Sequence, residues 1–319
     1  MSFFKYWILS TLLIIFIINE SFALVDYSGG PSSNFSFSKN KTNLASRATS
    51  SKRPRRKRTS YSTTSKQSPS FSKYFSFGTG YEKLDLETDT TDGKIDKYNF
   101  SARVTTNYNF FASINYWMAA TSLGGDIGQS EYQSGDPELV IGMNWLEFGQ
   151  AHDRMTIDLY AGLTFGNKES KLASSRDDKF FGLETTKRFL NLVLGLGYEL
   201  RLSEAPANST EVEIGNIQKL AAAIGATISH DIKFQISATS VTIFSSGNTE
   251  GQNRLTKDIK YTQITPKLIL GVTSTLEMEM GATFRSNRRL EGTTLIDARL
   301  MGLRGSYGNS IFTGLKFSL

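Results

Sequence analysis

The sequence predicts an all-β chain closed into an antiparallel up-and-down transmembrane β-barrel of about twelve strands, with ten or fourteen also compatible. Three observations carry this. Apolar and polar residues alternate with a period of two over long segments, which only a strand sorts onto opposite faces. Among the longest is Phe189 to Leu202. It sets Leu190, Leu192, Leu194, Leu196, Tyr198, Leu200 and Leu202 against Asn191, Gly195, Gly197, Glu199 and Arg201. Tyr98 and Tyr108 share an apolar face about 33 Å apart along the strand. At a tilt of roughly 40° that projects to the apolar height of about 25 Å between two aromatic girdles. The alternation also runs to the chain end, through Ile311, Thr313, Leu315, Phe317 and Leu319. Segments this long exceed those of a sheet sandwich, which turns every 8–12 residues or so.

The chain begins with Lys5, an apolar run from Trp7 to Ile18, and Ser21-Phe22-Ala23 as a small-x-small cleavage site. That core is too short to span as a helix, so residues 1–23 are read as a signal peptide, an uncleaved anchor being the alternative. Between Tyr27 and Lys73 lie eleven Lys/Arg and no acid, among Ser, Thr and Asn. Residues 24–71 are therefore expected to be a disordered basic segment. Its Lys52-Arg53-Pro54-Arg55-Arg56-Lys57-Arg58 run reads as a solvated linker, a tether to an acidic membrane surface, or a processing site. A secretory leader argues against nucleic acid. The formal charge of +6 hides this asymmetry, because residues 74–319 carry 24 bases and 28 acids. With no cysteine there is no disulfide framework, thiolate metal site or lipidated Cys. A mean hydropathy of −0.27 argues against a helical membrane protein but not against strands that are only half apolar.

The barrel is assigned to residues 72–319. Ser72 to Leu84 puts Phe75, Phe77, Thr79 and Tyr81 on one side, and Lys97 to Tyr108 follows. Next come Phe111 to Ala120, Glu138 to Phe148, Met155 to Phe165, and Phe189 to Leu202. Ile217 to Ile228 is the weakest, since its alanines would also suit a helix. Ile232 to Val241 and Leu276 to Arg285 alternate cleanly, while Ile259 to Val272 contains Pro266 and should be irregular there. Thr293 to Arg304 and Ser310 to Leu319 complete twelve. Ser122 to Asp136 and Gly166 to Asp178 are expected to be surface loops. With both ends on the near side, this placement sends the short Ser229-His230-Asp231 turn outward and residues 203–216 and 245–258 inward. That reverses the usual asymmetry of short inner turns and long outer loops, as an error of two in the count, or a segment that does not span, would do.

The closing alternation resembles the last strand of Gram-negative outer-membrane β-barrels, whose alternate apolar residues run to a terminal aromatic. Here Phe317 stands two residues before the final Leu319. The resemblance is to a broad porin-like class. It implies an outer-membrane location, contact with outer-membrane lipid, engagement of the barrel-assembly machinery through the C-terminal strand, and a periplasmic N-terminal segment.

The chemistry on offer is sparse. His152 and His230 fall in connections, without the spacing of a zinc site or a hydrolase relay, and Gly78-Thr79-Gly80 and Gly195-Leu196-Gly197 precede no helix. No enzyme, cofactor or metal is expected. The inward parity instead collects Arg103, Asp158, Glu199 and Arg201 from the first half and Lys267, Glu277, Glu279 and Arg285 from the second, then Asp297, Arg299 and Lys316. If the last hairpins turn near residues 289 and 307–308, Glu279 faces Arg299, which faces Lys316. Such a wall either pairs its charges structurally or lines a pore. The expected function is a porin-like passive channel for small hydrophilic solutes. The alternative is a closed structural or adhesive barrel whose loops bind an external partner.

Overall fold

The structure, a computed structural model, describes residues 73–87, 92–106, 109–122, 129–149, 153–207, 211–229, 231–247, 253–286 and 298–318. The expected signal peptide and basic segment lie outside the described residues, as do Tyr108, His152, His230, Asp297 and Leu319.

In chain order the strands are β1 (Lys73–Glu87), β2 (Asp92–Thr106), β3 (Phe110–Ser122), β4 (Gln129–Ser134), β5 (Glu138–Phe148), β6 (Met155–Thr164) and β7 (Lys179–Phe189). They continue as β8 (Leu192–Leu202), β9 (Ile217–Thr227), β10 (Ile232–Ile243), β11 (Ile259–Gly271), β12 (Leu276–Arg285) and β13 (Gly308–Ser318). All pairings of these strands are antiparallel, and β1 meets β13 with Ser76 facing Ser318, so the sheet closes on itself. Closure leaves no row of unpaired backbone groups, which a spanning sheet requires.

Thirteen strands make a twelve-position wall. β4 pairs with the far half of β3 and β5 with its near half, and the Gly135 amide bridges them by donating to the Trp117 carbonyl at 2.8 Å. The break falls at Pro137, which has no N–H for the ladder. Part of the expected Ser122 to Asp136 loop is thus the strand β4, extending the β3 hairpin. At Pro266, the ladder from β11 to β10 continues while that to β12 skips Thr265 and Pro266.

Two sequence expectations are corrected. Phe189 to Leu202 is not one strand. The chain reverses at Leu190, whose φ is 53°, and β7 pairs back on β8 from Phe189↔Leu192 to Lys179↔Leu202. β7 escapes a periodicity scan because its outward residues include Lys179, Thr185 and Lys187 among the apolar ones, and its turn holds neither Gly nor Pro. Conversely, 298–304, the described part of the expected Thr293 to Arg304 strand, is a run of turns inside the barrel. Its Leu300, Met301 and Leu303 are buried against other loops and the inner wall.

These corrections cancel in the strand count but reverse the orientation of everything from β8 to β12. Residues 107–109, 149–154, 190–191, 228–231 and 272–275 now turn at one end, together with the start of β1 and the end of β13. The longer 165–178, 203–216, 244–258 and 286–307 connect strands at the other. The usual asymmetry of such barrels is restored.

The outward face is apolar all round: Ile114, Ile141, Leu196, Leu220, Ile264 and Ile311 are each about half exposed or more. Water would not tolerate that much contiguous apolar surface on a monomer, whereas hydrocarbon matches it. Inside, aromatic rings lie over glycines of the next strand, Phe111 over Gly142, Phe180 over Gly162, Tyr160 over Gly182 and Phe312 over Gly281. A side chain at any of these glycines would occupy the ring's place. Glycine thus lets a large ring fold flat against the wall without filling the bore.

Candidate functional site

The inward parity builds a polar interior in three tiers. Toward the short-turn end, Glu277 holds Lys233 at 2.9 Å and Lys316 at 3.4 Å, and Glu279 lies 3.7 Å from Lys267. On the opposite wall, Asn144 donates to Asp158 at 2.9 Å, Asp158 stands directly across from Glu184, and Arg103 stacks 3.8 Å over the Phe111 ring. The middle tier is neutral: Ser101, Asn115, Ser237, Thr239 and Thr265 are buried there. The amides of Asn115 and, lower down, Gln235 are buried with no hydrogen-bond partner among the described residues. Buried amides are rarely left unsatisfied, so the wall keeps unmet hydrogen-bonding capacity at these two positions.

The upper tier is charged again. Glu199 takes Lys219 at 2.7 Å, Arg201 at 3.6 Å and the Tyr160 hydroxyl at 3.1 Å. Arg201 reaches on to Glu138 at 2.8 Å. Glu82 accepts from Ser310 at 2.7 Å and lies 3.3 Å from Arg304 and 3.9 Å from Lys97. Such pairs inside a barrel remain favourable only with their partners in place, since each lone charge would be costly.

Above this tier the inward residues turn apolar. Leu84, Leu86, Ile95, Trp117, Ala119, Ile217, Val241, Ile243 and Tyr261 form a collar at the long-loop end. Residues 298–307 fold into it through Ala298, Leu300, Met301, Leu303 and Tyr307, joined by Leu172, Val212, Ile214 and Leu255 from the other loops. Cations fasten this stopper by its backbone. Lys97 donates to the Met301 carbonyl at 3.0 Å, Arg176 to Ala298 at 2.9 Å, and Arg285 to Gly305 at 3.2 Å and to Ser306. Beneath it lies a cavity of about 90 Å³ reached by Lys97, Asn115, Glu138, Arg201, Lys219 and Arg304. Among the described residues, the collar and stopper therefore pack into one apolar cluster across the long-loop end.

Two buried carboxyls anchor the neighbouring loop. Asp136 accepts from the Asn167 amide at 2.9 Å and the Ser174 amide at 2.7 Å, and Asp178 lies 3.7 Å from Arg176. Burial pushes both above the ordinary aspartate value, although these hydrogen bonds and Arg176 pull the other way.

Of the residues singled out from sequence, Arg103, Asp158, Glu199, Arg201, Lys267, Glu277, Glu279, Arg285 and Lys316 sit on the inward parity of strands. Arg299 does not. It lies in the stopper and bonds Glu211 at 2.7 Å, so the expected Glu279–Arg299–Lys316 row is replaced by Glu277–Lys316 and Glu279–Lys267. Glu82, Lys97, Glu138, Glu184, Lys219 and Lys233 were missed, although Lys97 and Lys233 share the parity of Arg103 and Gln235 and could have been found by it.

No family model and no curated protein matches the sequence. Among solved structures the chain is similar to the NanC porin, at 9% identity over 76% of this chain and 100% of that one, with a TM-score of 0.51. It is also similar to an outer membrane channel from Pseudomonas putida F1, at 11% identity over 77% and 95% of the two chains, with a TM-score of 0.55. At such identities the likeness is one of fold. This chain has the closed-barrel fold of the porin-like outer-membrane proteins.

Proposed function

We propose that the chain is an outer-membrane channel of the porin-like kind, a passive path for small hydrophilic solutes, held shut in this conformation by residues 298–307. The observation that carries this reading is the inner wall, where buried amides at Asn115 and Gln235 lack protein partners and ion pairs line the bore up to the stopper. Unmet hydrogen-bonding groups and charges along the inner wall suit the passage of polar solutes. The apolar outward face supports insertion in lipid, and the alternation of β13 supports recognition by the barrel-assembly machinery. The start of β1 and the end of β13 at the short-turn side support a periplasmic basic N-terminal segment, with the stopper at the outer surface.

The test is recording from the refolded full chain in planar bilayers, beside a variant lacking residues 298–307 whose folding is checked by its heat-modifiable gel migration. Brief small steps from the full chain and larger, long-lived steps from the shortened one are expected. A folded variant that stayed electrically silent would refute the channel and favour a closed scaffold.

A further inference from the structure

We propose that Asn144, Asp158 and Glu184 form a binding site for a hard divalent cation of the calcium type on the inner wall near the short-turn end. This goes beyond the channel reading and does not depend on it. The three residues sit in one row on β5, β6 and β7, Asn144 directly across from Asp158 and Asp158 directly across from Glu184. Side chains so placed have Cβ atoms about 4.5–5.5 Å apart, and like charges there repel. A register shift in β5 between Asn144 and Leu146 marks a bulge beside the row, a device that re-aims a side chain.

Two independent observations show that the row is incomplete as it stands. Glu184 is only 4% exposed, yet its Oε1 accepts no hydrogen bond. The Asn144 Oδ1 is likewise buried and unpartnered, its amide nitrogen being engaged by Asp158. A buried acceptor with nothing to accept from is a cost that native structures rarely carry. The opposite wall shows how this barrel otherwise treats inward acids, with Glu277 and Glu279 each paired to lysine. At Asp158 and Glu184 the wall supplies no such lysine.

The charges of Arg103, stacked on Phe111, and of Arg154, bonded to Glu147, reach the row, Arg103 acting on both carboxyls and Arg154 on Asp158, yet Glu184 Oε1 accepts a hydrogen bond from neither. Glu199, farther up, is held by Lys219 and Arg201. What remains is an all-oxygen donor set of two carboxylates and one amide carbonyl. Such ligands suit calcium or magnesium, and the flexible geometry with lumenal water completing the shell suits calcium better. There is no nitrogen or sulfur donor to favour zinc or copper.

Terbium ion, a calcium-sized probe, tests this on the refolded full chain in detergent. Tyr160 lies two residues from Asp158 on the same face and would sensitise its luminescence. A saturable signal displaced by calcium is expected, weakened roughly tenfold or more in Asp158→Asn/Glu184→Gln and strengthened in Asn144→Asp, which adds a third carboxylate. Glu277→Gln, which removes an inward acid on the far wall, should leave it unchanged. No sensitised signal, an equal loss in Glu277→Gln, or Asn144→Asp binding no tighter would each overturn the proposal.

Discussion

Arg176 donates through Nη1 to the carbonyl oxygen of Ala298 at 2.9 Å, so the loop after β6 locks the loop before β13. Arg176 is 1% exposed. A charge this deep is retained because it holds a carbonyl that would otherwise face the collar unpaired. Arg176→Ala should loosen the stopper by about 1.5–3 kcal/mol, the range for a hydrogen bond to a charged group. Hydrogen exchange reads this directly. The Leu303 and Ser306 amides, bonded within the stopper, should exchange roughly 10–100 times faster. Unchanged protection would mean that the apolar contacts alone seat the loop.

Gly182→Ala should be costly, because a Cβ there would occupy the place of the Tyr160 ring. Overpacking of this kind costs about 1–3 kcal/mol, read as a lower urea midpoint for the refolded barrel. Gly247→Ala, where a Cβ meets nothing within 4 Å, should be neutral. Equal midpoints for the two variants would show that the rings over the glycines do not pack as described.

Acid should tighten the long-loop end. Burial raises Asp136 and Asp178 above the ordinary aspartate value, so the docked loop binds protons more firmly than the released one. Docking stability is then fully present below the ordinary value and lost as pH rises through the raised ones. Exchange of residues 165–178 should slow on acidification through that window, after correction for intrinsic rates. Asp136→Asn should flatten the dependence. A profile that loosened with acid would have the wrong sign.

Much of the fold is legible because lipid reads only one face. Wherever an outward set was uniformly apolar, as in Leu276 to Arg285 or Ile232 to Val241, period two located the strand. It failed where that simplicity broke down. On β7 the lysines and threonines among the outward residues hid a spanning strand, and Leu190 at positive φ made a turn look like more strand. In 298–304 the apolar residues serve a stopper, a tertiary role that one-dimensional periodicity does not distinguish from facing lipid. The inner charges were found by parity, but their partners depend on register, so Glu279 was matched to Arg299 when Lys267 stands beside it.

The central claim is that the apolar outward side of each strand meets hydrocarbon, as the leucine-bearing side of β8 does, while the opposite side, glycine-bearing in β8, meets the bore. The most direct measurement is electron paramagnetic resonance of nitroxides placed singly along β8, from position 193 to 200, in lipid vesicles. The cysteine-free chain allows each label to be placed without background. Oxygen collision should peak at Leu194, Leu196, Tyr198 and Leu200 and fall at Val193, Gly195, Gly197 and Glu199. Labels at Leu194 and Leu196 that were immobile and shielded from oxygen, packed against a second protein layer, would contradict the membrane barrel.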